Sequence, residues 1–235
     1  MYDIFELAEK PGFDFGKISG SNVGCSEIQL PIEFIRKYAD KLDWMGLCCS
    51  QSFSEDIIRE FKDKVDWNCV CCHQILSESF IIEFNGLVNW DYISRYQILS
   101  ESFIRSFYNK LCWENIFYHQ DLSEEFITEF KDKINNQVKY NIWRSICRKQ
   151  ILSKEFIREN SDNVDWVYVS RFQKLSESFI EEFSDKVYWP MICRHQKLSK
   201  KFIKKHEDKI DWVELLKRQH EKKSRNVNTR NTRSI

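Results

Sequence analysis

The chain has 235 residues, with 36 basic and 36 acidic side chains, so its formal net charge is zero. Hydrophobic residues make up 42% and aromatic residues 15%, which is enough for a packed core and excludes a disordered chain. Six glycines and three prolines are too few for a collagen-like sequence or an all-β sandwich. The sequence has no run of about 18 apolar residues, so we expect no membrane span.

The first 26 residues differ from the rest of the chain. Segment 1–26 contains four of the six glycines and lacks the repeat that follows, so we expect it to form an N-terminal cap. The acidic residues Asp3, Glu6 and Glu9 argue against a signal peptide at this end.

Tryptophan marks an internal repeat in the remaining chain. Successive tryptophans are 23 residues apart, except for one gap of 30. An aliphatic residue stands three residues after each tryptophan, and a glutamine stands seven residues after it. A period of roughly 20–50 residues is typical of solenoids. The extra seven residues form an insertion near 135–141. The eight tryptophans are Trp44, Trp67, Trp90, Trp113, Trp143, Trp166, Trp189 and Trp212.

Each repeat is predicted to contain two short helices. In the first helix, apolar residues stand three, four and seven residues after a serine, as Phe80, Ile81 and Phe84 do after Ser77, and this spacing places them on one helix face. The serine itself is a favoured N-cap residue. The second begins near each tryptophan, usually after Asp or Asn. Helices shorter than roughly 12–15 residues are not stable alone, so neighbouring pairs must stack. We therefore predict an all-α fold, an α-solenoid of about eight two-helix repeats of 23 residues over 27–221.

Charge is distributed unevenly along this array. Residues 1–193 contain 22 basic and 31 acidic side chains, whereas residues 194–235 contain 14 basic and 5 acidic ones. Segment 222–235 is basic and has no periodicity, so we expect a disordered tail. It is either a soluble end of the array or a segment that binds nucleic acid or an acidic surface.

The repeat resembles that of uncharacterised helical-repeat proteins of giant DNA viruses. The pattern is Leu-Ser-Glu-x-Phe-Ile-x-Glu-Phe-x-Asp-Lys-Val-Asp-Trp-x-x-Ile-x-x-x-Gln, and it is clearest in Leu122–Ile134 and Asp63–Trp67. The resemblance covers roughly residues 30–220, except that the first repeat and the insertion depart from it. It implies a repeat scaffold and a viral source, and it supplies no catalytic residue.

The invariant glutamines and tryptophans are predicted to be structural. A residue that recognises a ligand should vary between repeats, so we expect the glutamines to form a stacked amide ladder and the tryptophans to pack in the core. The nine cysteines favour an intracellular, reducing compartment, the host cytoplasm for a viral protein, with the nucleus an alternative because of the basic tail. Cysteines at equivalent positions of neighbouring repeats are not expected to form disulfides, because helices pack about 8–10 Å apart.

No candidate active site emerges from the sequence. Cys69, Cys71, Cys72 and His73 are close in sequence, but no matching Cys-x-x-Cys pair completes a zinc site. No phosphate-binding loop, nucleophile elbow or metalloprotease helix is present. We predict a protein that is not an enzyme and has no cofactor, no metal, no membrane partner and no small-molecule ligand.

The outer side of the second helices is the candidate binding surface. Positions two, five and six after each tryptophan should face away from the core, and they combine cations with aromatic rings. The interpretations are a solvated face, a protein-binding surface, or a surface for RNA or single-stranded DNA together with the basic C-terminal end. We predict a scaffold that binds another protein, with nucleic-acid binding as the alternative. The candidate residues are Tyr92, Arg95, Tyr96, Tyr118, His119, Arg148, Lys149, Tyr168, Arg171, Phe172, Arg194 and His195.

Overall fold

The computed structural model describes residues 3–19, 29–131 and 139–231, and every regular element in these residues is a helix. The prediction of an all-α solenoid of two-helix repeats is confirmed. The chain divides into two compact units, Met1–Gln120 and Asp121–Ile235. The repeat pattern alone does not predict this division, because tryptophan and glutamine have the same spacing in the repeats of both units.

The first unit contains two helices that precede the repeats and four repeats of two helices each. Its helices are α1 (Ile4–Ala8), α2 (Phe15–Ser19), α3 (Ile32–Tyr38), α4 (Trp44–Ser50), α5 (Glu55–Glu60), α6 (Trp67–His73), α7 (Glu78–Glu83), α8 (Trp90–Tyr96), α9 (Glu101–Ser106) and α10 (Trp113–His119). The even-numbered helices from α4 to α10 are the second helices of their repeats, and each contacts the next.

The second unit contains the other four repeats, with helices α11 (Glu124–Phe130), α12 (Lys139–Lys149), α13 (Lys154–Glu159), α14 (Trp166–Phe172), α15 (Glu177–Glu182), α16 (Trp189–His195), α17 (Lys200–Lys205) and α18 (Trp212–Asn231). Again the second helices α12, α14, α16 and α18 contact one another in order. Most of the insertion predicted near 135–141 lies outside the described residues, and its last residues belong to α12.

Short polar side chains set where the helices begin. The Ser176 hydroxyl accepts a hydrogen bond from the Phe179 amide at 3.3 Å, which caps α15, and the first helices of five other repeats are capped in the same way. Asp66 accepts a hydrogen bond from the Cys69 amide at 2.7 Å and caps α6. Such caps satisfy amides that a helix of two turns would otherwise leave unpaired.

At least six of the tryptophans contact an aromatic ring of the following repeat. The Trp67 ring lies 5.1 Å from the Phe84 ring, and the Trp166 ring lies 4.9 Å from the Phe183 ring, each pair belonging to successive repeats. Most of these tryptophans are half-buried rather than fully buried. Trp212 in the last repeat is 48% exposed, because no further repeat follows it.

The invariant glutamines form the predicted amide ladder. The Gln97 Nε2 atom donates to the carbonyls of Cys71 and Gln74 in the preceding repeat, both at 2.8 Å, and the Gln97 Oε1 atom accepts from the Leu76 amide at 3.0 Å. One side chain therefore satisfies two backbone carbonyls of the preceding repeat and the amide at the start of its own repeat. The same three bonds are made by Gln74, Gln120, Gln173 and Gln196.

A second ladder links the starts of the first helices. The Glu55 carboxylate accepts a hydrogen bond at 2.6 Å from the amide of Ser77, the N-cap of the next repeat. Corresponding bonds join Glu78 to Ser100, Glu124 to Ser153, and Glu177 to Ser199. The sequence analysis missed this contact, because a glutamate after an N-cap is already accounted for by the helix dipole.

The residues before the repeats pack against α3. The Phe5 ring lies 5.4 Å from the Phe34 ring, and the Phe15 ring lies 5.1 Å from the Tyr38 ring. The Tyr38 hydroxyl donates to the Glu9 carboxylate at 2.6 Å. These contacts cover the side of α3 that has no preceding repeat.

The C-terminal helix is longer than the sequence analysis predicts. Helix α18 continues to Asn231, so helical backbone extends into segment 222–235. The physical reason is that neither glycine nor proline interrupts the chain after Trp212. In the part of the chain described, no helix has both the length and the apolar character needed to cross a bilayer.

Candidate functional site

The predicted surface residues of the first unit form a mainly aromatic patch. We use "aromatic patch" for Tyr92, Arg95 and Tyr96 on α8 together with Tyr118 and His119 on α10, all of which are half-buried or exposed. The Tyr92 and Tyr96 ring centroids are 6.0 Å apart, and the Arg95 guanidinium carbon lies 5.2 Å from the Tyr96 centroid. Tyr118 and His119 are in edge contact at 4.7 Å.

The predicted residues of the second unit form a more basic patch on α12 and α14. We use "basic patch" for Arg148, Lys149, Tyr168, Arg171 and Phe172. The guanidinium carbon of Arg171 lies 4.9 Å from the centroid of the Phe172 ring, and the guanidinium carbon of Arg148 lies 5.9 Å from the same centroid. The Tyr168 ring lies 5.6 Å from the Phe172 ring. The structure thus brings four of these predicted residues into one cation–aromatic cluster.

Arg194 does not contribute a free cation to this surface. Its guanidinium donates to Glu214 at 2.9 Å and to Glu221 at 2.5 Å, so its charge is neutralised by α18. The neighbouring His195 is exposed. Partial desolvation of the ring, followed by the positive charges of Arg171 and Arg194, lowers the pKa of His195, so its imidazole adds no positive charge near neutral pH.

A small cavity lies beside the basic patch. It measures about 200 Å³, and its walls include Arg148, Lys149, Phe172 and Lys174. Lys149 is already paired with Asp121 at 2.9 Å. The wall also includes Ile151, so the cavity offers both cationic and apolar contacts. An anionic group attached to an apolar one suits this lining.

Exposed isoleucines adjoin both patches, and the sequence analysis missed them. Ile75, Ile98 and Ile151 directly follow the invariant glutamine of their repeats, and their exposed fractions are 93%, 94% and 97%. Ile98 is two residues after Tyr96 of the aromatic patch, with Gln97 between them. Ile151 lines the cavity beside the basic patch. We call these three residues the exposed isoleucines.

The extended backbone explains why these isoleucines face solvent. The glutamine ladder holds the Leu76 amide, and Leu76 itself is buried, so the preceding Ile75 projects to the opposite side of the extended segment. The sequence did contain a signal, because the same position holds Lys174 and Lys197 in later repeats. A position that accepts both isoleucine and lysine is not a core position.

Arg144 is a second residue that the sequence analysis missed. Its guanidinium carbon lies 4.8 Å from the Tyr168 ring centroid, and its Nη2 atom donates to the Tyr168 hydroxyl at 3.0 Å. Arg144 directly follows Trp143, a position that lies about 100° from the tryptophan and is therefore neither clearly inward nor outward.

The cysteines of the first unit show no metal-binding geometry. Over residues 3–19, 29–131 and 139–231, no group of three or more His, Cys, Asp or Glu side chains could hold a metal ion. Burial raises the pKa of Cys48 to about 12 and that of Cys71 to about 11, which keeps both thiols protonated at neutral pH. Protonated, buried thiols are poor metal ligands and nucleophiles.

No protein-family model, no curated protein and no solved structure matches this chain. The stacked two-helix repeats define the chain as an α-solenoid repeat protein. The resemblance to giant-virus repeat proteins stays a prediction.

Proposed function

We propose that the chain is a non-enzymatic repeat scaffold that binds another protein through the outer side of its second helices. The contact residues are those of the aromatic patch, the basic patch and the exposed isoleucines. The stacked repeats hold the patches of each unit in fixed positions, and the partner contacts side chains that differ from one repeat to the next.

The exposed isoleucines carry this proposal. Ile98 and Ile151 are more than nine-tenths exposed beside aromatic and cationic side chains. Aliphatic side chains gain free energy by leaving water, roughly 1.5–3 kcal/mol for full burial of one isoleucine, and a protein partner provides that environment. The cations of the basic patch favour a partner with carboxylates next to its apolar residues.

Nucleic-acid binding remains the second candidate because cations and rings alternate on the basic patch. Ring contacts in the free protein argue against base stacking there. Arg144 lies over Tyr168, and Arg171 lies over Phe172, so a base would have to displace a guanidinium group to reach either ring. Isoleucine also gains nothing from contact with phosphate.

Site-directed photocrosslinking tests the protein partner. A benzophenone amino acid replaces Tyr96 or Phe172 in the full chain, and the matched control replaces Ile82, which is 47% exposed on the first helix α7. In cells that express the chain, we expect one discrete protein adduct from Tyr96 or Phe172 and none from Ile82. Adding Ile151→Asp should weaken the Phe172 adduct about tenfold, as expected for loss of roughly 1.4 kcal/mol.

Two results would contradict the proposal. One is equal crosslinking from Ile82, and the other is a Phe172 adduct that Ile151→Asp does not weaken. Filter binding of a U-rich single-stranded RNA tests the alternative separately. Retention that falls steeply with salt and is lost in an Arg148→Glu, Arg171→Glu variant would favour nucleic acid over protein.

A further inference from the structure

Cysteine replaces arginine on the outer side of α4 and α6. Cys49 and Cys72 stand five positions after their tryptophans, where Arg95 and Arg171 stand in later repeats. Cys69 stands two positions after Trp67 on the same side of α6. Three cysteines therefore occupy helix positions that hold aromatic and cationic residues in other repeats.

Two of these thiols are in direct contact across neighbouring repeats. The Cys49 Sγ atom on α4 lies 2.8 Å from the Cys69 Sγ atom on α6. A disulfide bond is about 2.05 Å long, so the two sulfur atoms need to approach by less than 1 Å. This pair joins non-equivalent positions, because Cys49 stands five residues after the tryptophan of its repeat and Cys69 stands two residues after the tryptophan of the next. The spacing of equivalent positions therefore does not apply to it.

We infer that Cys49 and Cys69 form a disulfide that crosslinks α4 to α6 when the thiol–disulfide balance becomes oxidising. In the structure, Cys49 and Cys69 are both free thiols. The bond closes a loop of about 20 residues and fixes the spacing of two adjacent repeats at the end of the array that precedes the aromatic patch.

The chemistry needs a low-molecular-weight disulfide as oxidant, such as oxidised glutathione. The Cys49 thiolate attacks one sulfur of that disulfide, forming a mixed disulfide and releasing one thiolate. The Cys69 thiolate then attacks the Cys49 sulfur and releases the second. Two protein thiols are oxidised, one external disulfide is reduced to two thiols, and the two protons lost by the protein are taken up by the released thiolates.

Exposure assigns the order of these steps. Cys49 is half-buried, whereas Cys69 is only 8% exposed, so the external disulfide reaches Cys49 first. Burial raises the pKa of Cys69, which further favours Cys49 as the first thiol to react. Cys48 and Cys71 are fully buried, so the external disulfide does not reach them.

Peptide mapping of the full chain tests this inference. The reduced protein is incubated with oxidised glutathione, its remaining thiols are alkylated, and it is digested with trypsin, which cuts between the two cysteines after Lys64. We expect a crosslinked peptide pair, two fewer free thiols, and a melting temperature higher by roughly 6–12 °C for a loop of this size. Reduction should reverse all three changes.

Single variants distinguish this pair from its neighbours. Cys72→Ser should keep the crosslink and the rise in melting temperature, whereas Cys49→Ser and Cys69→Ser should lose both. A crosslink between Cys49 and Cys72, a disulfide between two chains, or a Cys49–glutathione adduct that persists would overturn the inference. Cys69, Cys71 and Cys72 share one tryptic peptide, so fragmentation of the wild-type crosslinked pair in the mass spectrometer identifies the bonded cysteine even if Cys69→Ser does not fold.

Discussion

Replacing Gln97 with alanine tests whether the amide ladder holds the repeats together. Gln97 is 5% exposed, and its amide makes three backbone hydrogen bonds, two to carbonyls of the preceding repeat and one to the Leu76 amide at the start of its own repeat. Alanine leaves two buried carbonyls and one buried amide without these partners. Water cannot replace them easily, because the residues that carry these groups are themselves buried or close to buried side chains.

The expected loss follows from the number of bonds. A typical hydrogen bond contributes about 1 kcal/mol net, so three give a loss of about 3 kcal/mol in the free energy of unfolding. For a chain of 235 residues, each kcal/mol lowers the melting temperature by about 2–4 °C, which predicts a decrease of about 6–12 °C.

The last repeat provides a matched control. Gln219 occupies the equivalent position but is exposed, and it is Arg218 that donates to the Gln196 carbonyl. Gln219→Ala should therefore change the free energy of unfolding by less than about 0.5 kcal/mol. Urea unfolding followed by circular dichroism measures both variants. A loss below about 1 kcal/mol for Gln97→Ala, or equal losses at both positions, would refute the structural role of the ladder.

Two further predictions concern helix caps and pH. Ser176→Ala should cost about 1 kcal/mol in urea unfolding, whereas Ser54→Ala should cost less, because the Ser54 side chain makes no cap hydrogen bond. Equal costs would contradict the cap assignment. Hydrogen bonds from arginines of the preceding repeats lower the pKa of Glu60 and Glu182 from the usual 4.5. The stabilisation is therefore complete above about pH 4.5 and is lost as pH falls through the lowered values, which melting temperatures measured between pH 6 and pH 3 should show as a progressive decrease.

The inner surface of the fold could be predicted from the sequence because its chemistry repeats. Tryptophan, serine and glutamine recur at fixed spacing, and each type has few structural roles when it is invariant. The amide ladder followed from Gln97 and its equivalents in this way. The contact of Glu55 with the Ser77 amide did not, because a glutamate after an N-cap has a sufficient local explanation, and only the structure places its carboxylate against the next repeat.

The outer surface could be predicted only in part. Helical periodicity correctly placed Arg171 and Phe172 on the solvent side, but it does not determine which charges are paired. Arg194 is held by Glu214 and Glu221 of α18. The repeat does not predict this, because position two after the tryptophan is glutamate only in the last repeat and Glu221 lies beyond the repeat glutamine. The exposed isoleucines lie in extended segments between helices, to which a helical period does not apply.

Under the proposed function, stability and recognition use different atoms of each repeat. The ladders bind backbone groups, since the Gln97 amide contacts carbonyls and Glu55 contacts an amide, so they tolerate any side chain on the neighbouring outer positions. This explains how the position after the glutamine can hold Ile98 in one repeat and Lys174 in another while the stack is preserved. Substitutions on the outer surface should therefore change binding without unfolding the repeats, and Ile151→Asp, at a side chain that is 97% exposed, is the variant in which these two effects separate most clearly.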